Sequence, residues 1–201
     1  MEFIRRIAQK EYDQKLLKQI QRQRGAIQQF LKNYDADVLE EIYNHQCTGR
    51  KEIIQSRIVT TDEYIREWYE KHPGGQNAFE MKVRYRTERG EYVRSKSEKI
   101  LADMFFKKGI PYQYEPALVL CGRRCYPDFA LLNVKRRKTL YWEHLGLIEK
   151  SEYALENYNR ISDYEQSGYL VGRDVLFTME STGRPLDINL VEEKLQQWLE
   201  S

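Results

Sequence analysis

Three carboxylates stand where the pattern around them is apolar. In the run Tyr126-Pro127-Asp128-Phe129-Ala130-Leu131-Leu132, a strand puts Tyr126, Asp128, Ala130 and Leu132 on one face. In Leu140-Tyr141-Trp142-Glu143-His144-Leu145, Glu143 shares its face with Tyr141 and Leu145. An acidic side chain on such a face is costly to desolvate unless it is paired or bound to a metal. If the two strands are neighbours, Asp128 and Glu143 converge on one point. Two oxygen ligands suit Mg²⁺, which uses few carboxylates and keeps several waters. A strand-end salt bridge to Arg or Lys is the competing account of the pair. Glu98 is the third. Helical spacing sets it on one stripe with Leu101, Ala102 and Phe105. Ser95 and Glu98 also read as a capping box, the stronger local account of that residue. A capping role and a metal-site role are compatible.

The elements that must hold these residues are legible. Ser95 to Lys108 reads as a helix, stopped at Ile110-Pro111. Tyr112–Leu120 reads as one strand region, with a turn at Gly122-Arg123-Arg124. Strands follow over 126–133 and 140–145, joined by the basic turn Lys135-Arg136-Arg137-Lys138. A helix over 151–166, a strand over 174–178 and a closing helix over 190–199 complete the order. Ahead of these lie two short strands within 81–93 and a capped helix from Thr61 that carries Tyr64, Ile65, Trp68 and Tyr69. A long amphipathic helix covers the first 34 residues, with Phe3, Ile7, Leu16, Ile20, Ile27, Phe30 and Tyr34 at mostly helical spacing. Ile20, Ile27 and Tyr34 keep a step of seven, which permits a short coiled coil, but Gln23 and Arg24 interrupt the seam. A boundary near residue 80 separates a helical amino-terminal region, 1–80, from a mixed domain, 81–201.

The 201 residues carry a formal charge of only +2, but the charge is blocked. Residues 1–34 are net +5, 35–81 net −5, 82–108 net +5, 109–148 net +3 and 149–201 net −6. Basic patches of this kind suit a polyanion. Candidate phosphate contacts are Arg94 and Lys96, beside the start of a helix, and Lys135, Arg136, Arg137 and Lys138. Three cysteines without a repeating frame argue against a disulfide scaffold. No apolar run approaches a membrane span, and the first residues have no secretory apolar core, so the expected setting is intracellular and cytoplasmic.

Three strings in order, Arg94-Ser95-Lys96-Ser97-Glu98, Tyr126-Pro127-Asp128-Phe129 and Trp142-Glu143-His144-Leu145-Gly146, resemble the PD-(D/E)XK nuclease superfamily. The resemblance extends over about residues 80–200 and includes a Tyr-rich helix with Tyr153 and Tyr164. It implies an α/β, restriction-endonuclease-like αβββαβ core, a mixed four-stranded sheet flanked by helices, with a helical amino-terminal extension. It further implies that Asp128 and Glu143 bind Mg²⁺ or Mn²⁺, that Glu98 helps hold or orient a water on the metal, and that the substrate is nucleic acid, here DNA. The family's lysine, two residues after the glutamate, is replaced by Leu145. In relatives without it a basic residue on the next helix takes its place, which here is Arg160. Arg stays charged at ordinary pH, so it can stabilise charge but is a poor general base. His144, on the opposite strand face, reads as a packed or hydrogen-bonded side chain. The expectation is a metal-dependent nuclease whose amino-terminal helical region grips substrate, pairs two copies into a homodimer, or packs on its own domain. A nuclease-like fold that binds nucleic acid or a protein without cleavage is the alternative.

Overall fold

The computed structural model describes residues 1–35, 38–146 and 151–200. The chain falls into two compact units, Met1–Thr60 and Thr61–Ser201. In the first, α1 (Glu2–Asn33) is followed by α2 (Val38–Asn44) and α3 (Thr48–Lys51). No residue of α1 is buried, and Thr60 alone is buried among the described residues of this unit.

The second unit is a mixed α/β domain. It contains α4 (Thr61–Lys71), β1 (Tyr85–Arg86), β2 (Tyr92–Val93), α5 (Lys96–Lys107), β3 (Tyr112–Tyr114), β4 (Leu118–Leu120), β5 (Arg123–Cys125), β6 (Phe129–Asn133), β7 (Lys138–Leu145), α6 (Ser151–Gln166), β8 (Val175–Met179) and α7 (Ile188–Glu200). One four-stranded sheet runs in the order β3-β6-β7-β8. The first three strands are antiparallel, and β8 joins β7 in parallel. That last pairing needs a crossover, which the α6 segment supplies. The order α5-β3-β6-β7-α6-β8 therefore contains one helix, three strands, one helix and one strand, with the β4–β5 hairpin inserted between the first two strands.

Each sheet face carries its own core. On one side Phe129, Leu131, Leu140 and Trp142 pack with Leu101, Ala102 and Phe105 of α5 and with Val191, Leu195 and Trp198 of α7. Phe105 meets Phe129 and Trp142 edge-on, at centroid distances of 5.3 and 5.4 Å. On the other side Ala130, Leu132, Tyr141 and Leu145 pack with Tyr164 of α6 and Trp68 of α4. Asn133 Nδ2 ties the sheet to the end of α7 by donating to the carbonyls of Trp198 and Leu199.

Two expectations differ in detail. The helix Thr61–Lys71 belongs to the second unit, ahead of the boundary placed near residue 80. Trp68 is the reason: it is buried in the domain core, and its indole Nε1 donates to Thr139 Oγ1 of β7 at 2.9 Å. The single strand region over 112–120 is two strands in different sheets. Glu115 sits at φ 46 between them, which breaks the extended run. The turn of the second hairpin falls at Cys121 and Gly122, both at positive φ, and Arg123 and Arg124 lie within β5. Among the described residues, no helix is long and apolar enough to cross a membrane.

Candidate functional site

The β6–β7 register reaches Phe129↔Trp142 at this end of the hairpin, so one step further sets Asp128 beside Glu143. Asp128 is held there by its own hydrogen bonds. Its Oδ2 accepts the main-chain N–H of His144 at 2.6 Å, and its carbonyl accepts the N–H of Glu115 at 2.9 Å. Glu143 is only 2% exposed. Its Oε1 accepts from Tyr164 Oη at 2.6 Å and from Arg160 Nε at 2.8 Å. Arg160 also donates to the carbonyl of Tyr126 at 2.8 Å, which fastens it over the Pro127-Asp128 step.

Glu98 arrives from the first turn of α5. Ser95 Oγ accepts the Glu98 N–H at 3.0 Å, the expected cap. The carboxylate reaches back to the N–H of Arg94, one residue ahead of the usual capping-box partner, at 2.9 Å. Tyr114 Oη donates to the same Oε2 at 2.7 Å. Glu98 therefore caps its helix and adds its negative charge to the field at Asp128.

The electrostatics bind the three together. Burial, then repulsion from Glu143 and Glu98, pushes the Asp128 carboxyl well above its ordinary value, against the pull of the His144 N–H and Arg160. Burial also raises Glu143, although Arg160 and Tyr164 favour its charged form. Burial works against a charged Arg160, yet Glu143 and Asp128 hold it protonated above the usual arginine range. A half-buried carboxylate repelled by two others is short of positive charge. The donor set of Asp128 and Glu143 fits a small hard cation that keeps waters of its own. Among the described residues, no group of three or more His, Cys, Asp and Glu side chains stands together as a ready metal cage. Glu143 already spends one oxygen on Arg160.

Behind the carboxylates lies a layer the motifs did not reveal. Ser97, next to Glu98, donates from Oγ to Glu180 Oε2 at 2.7 Å. His144, next to Glu143, sets Nε2 3.3 Å from Glu180 Oε1, at ion-pair distance without hydrogen-bond geometry. The other imidazole nitrogen of His144 lies 3.0 Å from Thr178 Oγ1. Glu180, just past β8, thus fastens the chain neighbours of two site carboxylates to one another. His144 is a packed, hydrogen-bonded side chain, as its strand face implied. Burial opposes the charge on Glu180, but Ser97 and His144 hold its pKa below the ordinary 4.5. We expect Glu180→Gln to cost about 1 kcal/mol of stability at neutral pH. Because the folded-state pKa is depressed, the wild-type advantage is lost as pH falls through that value. Urea melts of both chains between pH 3 and 7 should show the gap closing on the acid side.

The expected phosphate contacts divide. The Arg94 guanidinium is not held out toward a ligand: it donates to Glu115 Oε1 at 2.7 Å and to the carbonyls of Phe79 and Glu80. Lys96 stands exposed on the first turn of α5. Lys135, Arg136, Arg137 and Lys138 are exposed, but their turn closes the far end of the β6–β7 hairpin. Five residues at about 3.4 Å each separate it from Asp128, roughly 17 Å. Arg136 donates to the Glu200 carbonyl, and Arg137 lies over the Tyr64 ring at 4.9 Å. The structure therefore sets Asp128 beside Glu143 with Arg160 on Glu143, brings Glu98 near enough to repel the Asp128 charge, and leaves the basic turn apart. The sequence set Tyr164 on the helical face of Arg160, four residues on, but assigned neither it nor Tyr114 as a donor to the carboxylates. The side chain of Tyr153 lies outside the described residues.

No protein-family model matches the chain, and no solved structure does. The chain is 38% identical over 81 residues to an uncharacterized protein of Methanocaldococcus jannaschii. That stretch is 40% of this chain and 7% of the relative, so the match spans a small fraction of the relative's length.

Proposed function

We propose that the second unit is a metal-dependent nuclease that hydrolyses phosphodiester bonds of DNA, with the PD-(D/E)XK architecture its motifs resemble. The observation that carries the reading is Asp128 beside Glu143 at one sheet end, with Arg160 on Glu143 and Glu98 near enough to repel the Asp128 charge. Mg²⁺ or Mn²⁺, held by Asp128 and Glu143, would supply an acidified water and neutralise charge on the phosphoryl oxygens. The chain's own residues do the rest. The His144 N–H and Tyr164 Oη fix the two carboxylates. Glu98, aimed by Tyr114, would help hold a water supplied at that ion. Arg160 offsets the negative charge that grows at the phosphate; being permanently charged, it does not act as the base.

A specific observation favours a second reading, in which the fold binds nucleic acid or a protein without cutting. Leu145 is buried in the core where the family places its lysine, and Arg160 closes on Glu143 as a counter-ion. The two readings separate on plasmid and single-stranded DNA incubated with Mg²⁺ or Mn²⁺. The nuclease reading expects nicked, linear or shortened products that disappear when EDTA is added. A retarded band with intact DNA in every metal condition would establish the binding reading instead.

A further inference from the structure

The first unit has no core of its own among its described residues, yet α1 leaves a series of large apolar side chains exposed. At 1.5 Å per residue, the 32 residues of α1 extend about 48 Å. Phe3, Ile7, Leu17, Ile20, Ile27 and Phe30 are each at least half exposed. A helix so rich in Gln and Lys, with Gly25 inside it, gains most of its stability from what packs on it. At on the order of 100 Å² for each large side chain, six such residues on one seam amount to about 600 Å² per partner, the lower end of specific interfaces at roughly 600 Å² per partner.

The seam says what covers it and in which direction. Two sets of positions recur at sevens: Phe3, Lys10, Leu17, Arg24 and Leu31 in one, and Arg6, Asp13, Ile20, Ile27 and Tyr34 in the other. Arg6, Lys10, Asp13 and Arg24 are the charged members among them. In a parallel pair Arg6, Lys10, Asp13 and Arg24 each face their own copy, four repulsive layers. In an antiparallel pair centred between residues 18 and 19, Asp13 of each copy meets Arg24 of the other. The same register sets Leu17 on Ile20 and Phe3 on Tyr34, with the Lys10 stem lying along Ile27 and the Arg6 stem along Leu31. Charge segregation along the helix agrees. All three acids of α1, Glu2, Glu11 and Asp13, lie in its first half beside Arg5, Arg6, Lys10 and Lys15, net +1, and Lys18, Arg22, Arg24 and Lys32 follow with no acid among them, net +4.

We propose that α1 pairs antiparallel with α1 of a second copy of this chain, with Asp13 of each copy opposite Arg24 of the other as the two charged layers that fix the direction. The inference is independent of any activity of the second unit. Its test is sedimentation equilibrium of the full chain at about 10 µM, which should give a dimer. Asp13→Lys and Arg24→Glu, each on a helix with no buried residue, should each raise the dissociation constant at least tenfold. The double variant swaps the charges and should return within about threefold of wild type. Three results would overturn the proposal: a monomeric wild type, single variants that dimerise unchanged, or a double variant as weak as the singles. Helix protection that appears only when DNA is added to a monomer counts against it in the same way.

Discussion

Asp128→Asn is expected to abolish cation-dependent cleavage and, at the same time, to make the protein more stable. The loss should be about a thousandfold or more. A cation clamped at the phosphate supplies several kcal/mol of transition-state stabilisation, and each 1.36 kcal/mol is about tenfold in rate. The gain in stability follows from the same geometry. Asp128 sits between Glu143 and Glu98, both of which repel its charge. The Asn side chain keeps an oxygen for the His144 N–H, now 2.6 Å from Oδ2, and removes the repulsion. About 1 kcal/mol of relief corresponds to roughly 2–4 °C in melting temperature for a domain of this size. The pH dependence has a definite sign. The Asp128 pKa is raised in the folded state, above the ordinary 3.8. The folded chain then binds more protons than the unfolded one in that window, so wild-type stability falls as pH rises from 3.8 through the folded value. The variant lacks that slope, and its advantage grows toward neutral pH. Thermal melts from pH 4 to 8 without divalent ions, beside a plasmid assay, check both halves. A variant that is less stable and cuts as well as wild type would make Asp128 a structural residue. Mn²⁺ should raise the wild-type melting temperature and leave the variant unmoved.

This opposition of stability and activity explains why the site was legible in the sequence. Asp128 and Glu143 break the apolar alternation of their strands, and such violations concentrate where function overrides folding. The α5 start was equally open, because Ser95 and Glu98 carry their capping signature at fixed spacing. What stayed hidden depends on distant partners. Nothing around Tyr114 announces that its hydroxyl meets Glu98 across the first turn of a helix sixteen residues earlier. Glu180 reads as an ordinary acid after a strand, although it fastens Ser97 of α5 to His144 of β7. The break after β3 was invisible for another reason. A residue before proline is biased toward extended backbone, so Glu115-Pro116 gave no warning of a positive φ. The place of α4 was ambiguous because an amphipathic helix states which face it buries, not which domain it buries it in.

Arg160→Ala should cost about 2–3 kcal/mol of stability in the absence of divalent ions. Removing one partner of a buried ion pair typically costs about 3–5 kcal/mol, because the other charge is left uncompensated. Glu143 is buried, but the Arg160 side chain is 37% exposed, so solvent returns part of that cost. Tyr164 would remain as the hydrogen-bond donor to Glu143 Oε1. The informative measurement is what Mn²⁺ does next. If Glu143 and Asp128 form a cation site, a divalent ion can replace the lost guanidinium. Mn²⁺ should then raise the melting temperature of Arg160→Ala more than that of wild type, while cleavage stays depressed for want of the arginine's charge at the phosphate. Adding Glu143→Gln to Arg160→Ala removes the stranded carboxylate, so the double variant should recover stability and lose its response to Mn²⁺. A non-cleaving fold in which Arg160 serves only as a counter-ion predicts otherwise. The single variant would be equally unstable with and without Mn²⁺, because no site would exist to take the ion. The same substitution thus separates a guanidinium that shares Glu143 with a metal from one that has replaced it.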